Sequence, residues 1–241
     1  MSNYNLSIFN NSLSRALKNL YLKDFFENEQ NGDNILDYGS GYTPYKNLAL
    51  TKYKNYYTAE FPKTSEKLYN NKSDYTIFEN EKTDCPDSFF ETVLITEVLE
   101  HVYKPVNSLA EIYRILKKGG KIVGTVPFQM NEHDQPYDYF RYTNYSLTKM
   151  LEESNFKNIN IQYVGDSIGS LIFLTNRNFG FILKILNRIK LGFAARILNL
   201  IIFKIPEYIY YYMYIIGIRF NKIDFFKISP LGYFFSAQKG D

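Results

Sequence analysis

Apolar and polar residues along the chain follow two different periods, which predict helices alternating with strands. Residues 12–28 place their apolar side chains mostly on one helical face, whereas 89–96 is a short, β-rich apolar run typical of a strand covered on both faces. Further strands are predicted at 34–38, 55–61, 121–128, 158–164 and 231–239. This order of elements predicts an α/β fold in which helices cover a mostly parallel sheet.

Two further helices are predicted from the residues at their ends. One begins near residue 106, carries Lys117 and Lys118 in its last turn and stops at Gly119. The other is capped at its N-terminus by Thr143.

The chain is predicted to form a single domain, because it has no internal repeat and no low-complexity linker. Its 241 residues are enough to bury a sizeable core. The predicted parts are an N-terminal helical segment at 1–33, a core at 34–166, a helical insertion at 167–228 and a last strand at 229–241.

The predicted insertion is rich in basic residues. Between Arg177 and Lys222 there are eight basic residues and one acidic residue, Glu207. Its most apolar stretch, 197–220, is interrupted by a lysine, a proline and Glu207, so we expect no membrane-spanning helix. Four interpretations stay open: helices whose cations face water, a lid, an oligomer face, or peripheral contact with an anionic membrane surface.

Composition narrows the function classes. The single cysteine, Cys85, excludes an intramolecular disulfide and a cysteine-based zinc site, and it suits a cytoplasmic protein. No secretory signal is recognisable at the start of the chain. The net charge is only +3 and the basic residues are interleaved with aliphatic ones, so nucleic-acid binding is not expected.

The most informative stretch is ILDYGSGYTPYKNL, residues 35–48. A strand that ends in Gly39 and Gly41 lets the backbone turn sharply and lie against a ligand. A dinucleotide-binding loop would usually carry a third glycine at position 44, where this chain has proline. The helix is therefore predicted to start at Pro44 with Thr43 as its N-cap, and Asp37 is free to orient a cationic ligand.

Four motifs in order resemble those of class I S-adenosylmethionine-dependent methyltransferases. They are the loop DYGSG, the strand YYTAEF, the segment SFFETVLITEVLEHV and the segment EIYRILKKGGKIVGTVPF. The last two are similar to the type 11 subgroup of that family. The resemblance extends over residues 34–165 and 230–239 and implies a Rossmann-like, doubly wound, seven-stranded sheet.

The resemblance also implies a cofactor and its ligands. S-adenosylmethionine would be bound by Asp37, Gly39, Ser40 and Gly41, with Glu60 holding the two ribose hydroxyls. The remaining predicted cofactor residue, Glu97, follows the fourth strand of the family's fold. The residue that contacts the adenine amine is expected near Phe78 and Glu79, in a region that is difficult to align.

The segment NEHDQPYDYFRYT, residues 131–143, is predicted to lie at the rim of the active site, and it resembles a segment of type 11 enzymes. Its histidine, His133, is the predicted general base, with Asp134 as the second candidate. The plainer interpretation is that Asp138 and Arg141 pair and the tyrosines pack. Glu97, His101, His133 and Asp134 could in principle converge on a metal ion, but they lack the sequence spacing of metal ligands, so no metal site is predicted.

The predicted activity is methyl transfer to an oxygen of a glycan, a lipid-linked molecule or another small acceptor, with a nitrogen as the less favoured acceptor atom. One alternative is a cofactor-binding partner subunit without catalysis. Another is a short-chain oxidoreductase that uses NAD(P), suggested by Tyr145 and Lys149 but opposed by the lack of its glycine-rich loop. The oligomeric state is left open, and the predicted location is the cytoplasm, with or without contact at the inner membrane face.

Overall fold

The computed structural model describes residues 11–62, 64, 66, 73–178, 185, 188, 192–217 and 228–240. Its strands are β1 Gly32–Tyr38, β2 Tyr53–Glu60, β3 Tyr75–Thr76, β4 Phe90–Thr96, β5 Leu116–Pro127, β6 Phe156–Val164 and β7 Gly232–Lys239. All seven form one sheet in the order β3-β2-β1-β4-β5-β7-β6. β1 to β5 pair in parallel, whereas β7 runs antiparallel to β5 and β6, so the predicted fold class is confirmed.

Helices cover both faces of the sheet. They are α1 Leu13–Asn28, α2 Lys46–Ala49, α3 Pro105–Ile115, α4 Asn144–Glu153, α5 Ser167–Asn178, α6 Gly192–Leu198 and α7 Ile205–Ile215. α1, α5 and α7 contribute Leu17, Phe173 and Tyr214 to the core on one face. α3 and α4 contribute Ile112 and Leu147 to the core on the other face.

The helical segment before the last strand is attached to the body of the domain. Glu207 in α7 is 3% exposed, and its carboxylate accepts hydrogen bonds from the backbone N–H of Leu13 at 3.1 Å and from the side chain of Asn176 at 3.1 Å. Because Leu13 is the first residue of α1, this carboxylate lies where the positive end of the helix dipole favours an anion. The inner side of α7 is therefore part of the core.

Two predicted helix boundaries were wrong. α3 ends at Ile115, and the predicted last turn is instead the start of β5. Leu116 is buried and pairs with Phe90 of β4, and the extended backbone lets Lys117 form an ion pair with Glu91. Pairing with the neighbouring strand thus prevails over the helical pattern.

The second wrong boundary lies in the glycine loop. No helix starts at Pro44, because Thr43 has a left-handed φ of 49° and its N–H donates to the carbonyl oxygen of Ser40 at 2.8 Å. The short helix α2 begins only at Lys46, after Tyr45, whose buried ring donates its hydroxyl to Asn19 of α1 at 3.0 Å. Thr143, by contrast, caps α4 as predicted.

Among the described residues, no helix is both long enough and apolar enough to cross a membrane. The structure describes only part of the predicted basic segment. Four of its cations lie outside the described residues: Lys184, Lys190, Arg219 and Lys222. The proposed domain boundaries stay a prediction.

Candidate active site

Asp37 lies at the carboxyl end of β1, immediately before the glycine loop. Its side chain is buried and accepts a hydrogen bond from the hydroxyl of Tyr56 in the neighbouring strand β2. Burial, reinforced by the Glu60 carboxylate and opposed by the Tyr56 hydrogen bond, raises the pKa of Asp37 to about 7. The group is therefore poised near neutrality, and a cationic ligand would draw it into the charged form.

The two glycines of the loop have different surroundings. Both have positive φ, 72° at Gly39 and 47° at Gly41. A Cβ atom added at Gly39 would come within 2.5 Å of the Val98 side chain, whereas one added at Gly41 would meet no described atom within 4 Å. Gly39 is therefore required by the packing of the loop on the protein itself, and Gly41 presents bare backbone to open space.

Glu60 lies at the carboxyl end of β2, beside this loop. Its two carboxylate oxygens accept one hydrogen bond each, from the N–H of Gly41 and from the N–H of Phe61, both at 2.8 Å. Burial raises the pKa of Glu60 above its usual value. A carboxylate has about four acceptor positions, so the oriented group can still accept two hydroxyl donors.

β3 ends next to β2, and the segment expected to reach adenine follows it. Glu60 pairs with Thr76, and Phe78 comes two residues later with 47% of its surface exposed. Its ring is accessible at the edge where the glycine loop lies, so the adenine prediction for this segment stays open.

Glu97 directly follows β4 and has a left-handed φ of 54°. Its carboxylate accepts a hydrogen bond from the hydroxyl of Thr125 in β5 at 3.0 Å and forms an ion pair with Lys18 of α1 at 2.6 Å. Sequence reasoning did not identify Lys18, because a cation on an amphipathic helix is normally solvated. Here it is 2% exposed and fixes the Glu97 side chain.

The two histidines of the chain meet although they are distant in sequence. The ring centroids of His101 and His133 lie 4.8 Å apart, with the rings at 79° to each other. Nδ1 of His101 is 2.8 Å from the carbonyl oxygen of Tyr137. Nδ1 of His133 is 3.2 Å from the carbonyl oxygen of Asn131. The carbonyl contacts favour a proton on Nδ1 of each ring, which leaves each Nε2 as an acceptor.

The rim loop that carries His133 is held by a partly buried ion pair. Arg141 donates to both carboxylate oxygens of Asp138 at 2.7 Å, and Asp138 also accepts the backbone N–H of His133 at 2.9 Å. The Arg141 guanidinium holds the pKa of Asp138 well below its usual range. The plainer prediction, that Asp138 and Arg141 pair, is thus confirmed. Asp134 is exposed.

Glu100 is a buried acid that sequence reasoning assigned no role. Its side chain is 0% exposed, and neither carboxylate oxygen accepts a hydrogen bond from another described residue. Burial, together with the neighbouring Glu97 carboxylate, raises the pKa of Glu100 well above its usual value. Oε1 of Glu100 lies 3.7 Å from Nε2 of His101.

A cavity of about 510 Å³ lies at the opposite edge of the sheet. It is lined by residues at the amino ends of the parallel strands, including Gly32, Tyr53 and Lys121. Ligands of open parallel sheets bind at the carboxyl ends of the strands, so this cavity is not the candidate site.

Comparison with known proteins identifies the family. A family model described as a methyltransferase domain matches residues 9–161, more than half of the chain. The chain belongs to this methyltransferase family. Its fold is that of class I S-adenosylmethionine-dependent methyltransferases. A search of curated proteins finds no match to this methyltransferase.

Solved structures show the same fold at low sequence identity. A SAM-dependent methyltransferase from Archaeoglobus fulgidus is 16% identical, with a TM-score of 0.54 and 94% of each chain covered. Phosphoethanolamine N-methyltransferase 2 from Haemonchus contortus, in complex with S-adenosylmethionine, is 16% identical with a TM-score of 0.52, over 92% of this chain and 52% of that one. The [4+2]-cyclase SpnF is 15% identical with a TM-score of 0.56, over 94% of this chain and 81% of that one.

These likenesses show the fold alone, and a cyclase among them means that fold does not decide the reaction. The structure gives no support to the oxidoreductase alternative, because Tyr145 is 81% exposed and Lys149 lies on the exposed side of the same helix, with Nζ 3.9 Å from Oε1 of Glu153. The carboxyl ends of β1, β2 and β4 bring Asp37, Glu60 and Glu97 to one edge of the sheet.

Proposed function

We propose that this methyltransferase moves a methyl group from S-adenosylmethionine to a hydroxyl oxygen of a glycan, a lipid-linked molecule or another small acceptor, and that it belongs to the type 11 subgroup. The observation that carries the proposal is the arrangement at the carboxyl edge of the sheet: a buried acid with a pKa of about 7 beside an open glycine loop and an oriented second acid. These groups fit a ligand with a cationic amino-acid end and a ribose.

In the proposed complex, Asp37 accepts hydrogen bonds from the cationic end of the cofactor, and the backbone of Ser40 and Gly41 lies against it. Glu60 takes both ribose hydroxyls in a bidentate, charge-assisted contact. Gly39 allows the loop to pack on Val98, and Glu97 lies where β4 meets the reacting end. When bound, S-adenosylmethionine would donate the methyl group from its sulfonium sulfur, and the rest of the cofactor would leave as a neutral thioether.

The acceptor oxygen gains the methyl group and loses its proton. Nε2 of His133 is the proposed proton acceptor, because Nδ1 lies 3.2 Å from a backbone carbonyl oxygen and is expected to carry the other ring proton. The loop places this ring at the rim through Asp138 and Arg141. Asp134 stays the second candidate, and its side chain is exposed in the same loop.

An acceptor attached to lipid is favoured by the outer side of the helical insertion. Apolar side chains that are at least 43% exposed follow one another through α6, the π-helical turn Asn199–Lys204 and α7: Phe193, Ile197, Leu200, Ile201, Ile202 and Ile209. Apolar surface of this extent usually marks an interaction site. We propose peripheral contact with an anionic membrane through this surface, which we call the isoleucine patch.

The cofactor and the reaction are tested separately. Titration calorimetry should show binding of S-adenosylmethionine and S-adenosylhomocysteine but not of NAD, with binding weakened in Glu60→Gln and unchanged in the surface control Asp33→Asn. Incubation with isotopically labelled S-adenosylmethionine and glycan or lipid acceptors, followed by mass spectrometry, should find a labelled methyl ether.

Cofactor binding without transfer to any acceptor would favour a non-catalytic partner subunit. Undiminished binding by Glu60→Gln would overturn the site assignment.

A further inference from the structure

We propose that Glu100, His101 and His133 form a binding site for one divalent first-row metal ion. One ligand atom from each of the three residues lies within 4.8 Å of the other two. The site combines the 3₁₀ turn Leu99–His101, which follows β4, with the rim loop that follows β5. It therefore lies beside Glu97 at the carboxyl edge of the sheet. The proposal concerns binding and does not depend on the reaction proposed above.

The first argument is the state of Glu100. A fully buried carboxyl group whose two oxygens both lack a hydrogen-bond partner is costly, and such groups in proteins are normally paired or ligate a metal. The nearest cations are already paired, Lys18 with Glu97 and Arg141 with Asp138. Within the described residues, Glu100 lies within ion-pair distance only of Nε2 of His101, at 3.7 Å, and a metal ion between the two groups would bind both.

The second argument is the orientation of His101. Its Nδ1 lies 2.8 Å from the Tyr137 carbonyl oxygen, and a backbone carbonyl on one ring nitrogen is the usual support for a histidine that ligates through the other. Its Nε2 lies 3.7 Å from Oε1 of Glu100. This is too long for a hydrogen bond, but it is close to the ~3.3–3.6 Å that separates two atoms ligating one tetrahedral ion at ~2.0–2.2 Å.

The third argument is the position of His133. Its ring packs edge-to-face on the ring of His101, and its Nδ1 also has a backbone carbonyl oxygen as partner. The longest of the three ligand separations is at most 4.8 Å, whereas ligand atoms on one tetrahedral ion lie ~3.3–3.6 Å apart, so a shift of at most about 1.5 Å completes the site. The adjoining loop residues Glu132 and Asp134 are exposed, which leaves room for that shift.

Two imidazoles and one carboxylate suit ions such as Zn²⁺, Fe²⁺ or Co²⁺ better than Mg²⁺ or Ca²⁺, which prefer oxygen ligands. Three protein ligands leave positions open for water or an acceptor oxygen. A ligated His133 is no longer available as a base, so the ion-loaded and ion-free proteins should differ in activity.

The test uses the untagged full chain, freed of metal with a chelator, in equilibrium dialysis against Co²⁺, with Zn²⁺ as competitor. We expect one Co²⁺ per chain, visible absorption bands typical of nitrogen and oxygen ligands, and displacement by Zn²⁺. Glu100→Gln, His101→Ala and His133→Ala should each weaken binding at least ~10-fold. Glu132→Gln, which changes an exposed acid of the same loop, should bind like the wild type.

Circular dichroism and thermal unfolding of each variant serve as the control for folding, because they depend on neither the metal nor the cofactor. The proposal is overturned if the folded wild type takes up neither ion at micromolar concentrations. It is also overturned if the three site variants bind Co²⁺ as the wild type does.

Discussion

The ammonium group of Lys18 lies 2.6 Å from Oε2 of Glu97, and its side chain is only 3% exposed. The pair joins α1 to the carboxyl end of β4, although the two residues are 79 positions apart. Glu97 is in turn held by Thr125 of β5. The first helix of the domain therefore takes part in building the candidate active site.

Replacing Lys18 with methionine should destabilise the domain, because the partly buried Glu97 carboxylate would lose its cationic partner and keep only its hydrogen bond from Thr125. Loss of one member of a buried pair costs several kcal/mol. Since Glu97 is 29% exposed and water screens part of its charge, we expect about 1–3 kcal/mol in urea unfolding. In a double-mutant cycle with Glu97→Gln, the second change should recover part of this loss. Strictly additive effects would mean that the pair is energetically silent.

Affinity for S-adenosylmethionine should fall on acidification below about pH 7. In the protein without ligand, the pKa of Asp37 is raised to about 7, chiefly by burial, and only the carboxylate form attracts a cationic ligand. We expect the dissociation constant to rise up to ~10-fold per pH unit between pH 7 and 5. Calorimetry over this range measures it. Asp37→Asn should bind weakly with no such dependence, and an equally steep dependence in that variant would exclude Asp37 as its source.

The free energy of unfolding of the ligand-free protein should also depend on Asp37. It should fall as the pH rises, whereas the affinity for the cofactor falls as the pH drops. Because the pKa of Asp37 is higher in the folded than in the unfolded state, the folded protein holds the proton between about pH 4 and 7 and loses stability as pH rises through this window. The slope due to this group is at most about 1.4 kcal/mol per pH unit. Asp37→Asn should remove this slope in urea titrations, and an unchanged profile would contradict the assignment.

Alanine at the two loop glycines should have different effects. Gly39→Ala forces a Cβ atom against Val98 and should lower stability by ~1–3 kcal/mol. Gly41→Ala meets no described atom and should cost only ~1 kcal/mol for its positive φ, yet its methyl group enters the proposed cofactor space. Thermal unfolding and calorimetry separate the two. Normal cofactor affinity in Gly41→Ala would place the ligand elsewhere.

His133→Ala should reduce turnover on the true acceptor ~10²–10⁴-fold, as removal of a general base typically does, while cofactor affinity is unchanged. Asp134→Asn is the matched comparison in the same loop and should retain most of the activity, because Asp134 is exposed. If Asp134→Asn instead loses much more activity than His133→Ala, Asp134 is the general base. Repeating both assays with and without added metal separates a base from a metal ligand.

Strands with continuous apolar runs were predictable from the sequence, because burial on both faces leaves a local pattern. β3 was not, since its two residues join the sheet only through the edge of β2. The start of β5 at Leu116 depends on its pairing with Phe90 of β4. The sequence around Leu116 carries no information about this distant partner and predicts a helix instead.

The acids of the site were predictable from family motifs, but their partners were not. Tyr56 and Lys18 reach Asp37 and Glu97 only through the packing of neighbouring elements. The meeting of Glu100 with His133 likewise needs two separate loops to fold towards each other. Sequence spacing can reveal metal ligands that lie on one helix or loop. It cannot reveal ligands that come from two separate loops.

The isoleucine patch gives a further prediction. If it contacts an anionic membrane, the protein should sediment with vesicles that contain phosphatidylserine and less so with neutral ones, and high salt should release part of it. Replacing Ile201 and Ile202, which are 57% and 47% exposed, with glutamine should weaken sedimentation without affecting cofactor binding. Replacing the exposed Val106 of α3 serves as control. If neither the isoleucine variant nor the Val106 variant alters sedimentation, the patch does not bind the membrane. If the isoleucine variant instead changes the oligomeric state, the patch is a subunit interface.

The position of β7 has a consequence for how the protein is made. β7 lies between β5 and β6, and the Gln238 side chain reaches the Gly119 carbonyl oxygen 119 positions earlier in the chain. During translation, β5 therefore leaves the ribosome long before its antiparallel neighbour exists, and at ~5–20 residues per second the delay lasts several seconds. For that time β5 presents an unpaired edge, and β6 has no place in the sheet. Until β7 is synthesised, this unpaired edge can accept a strand from another chain, so the nascent protein is at this stage exposed to aggregation.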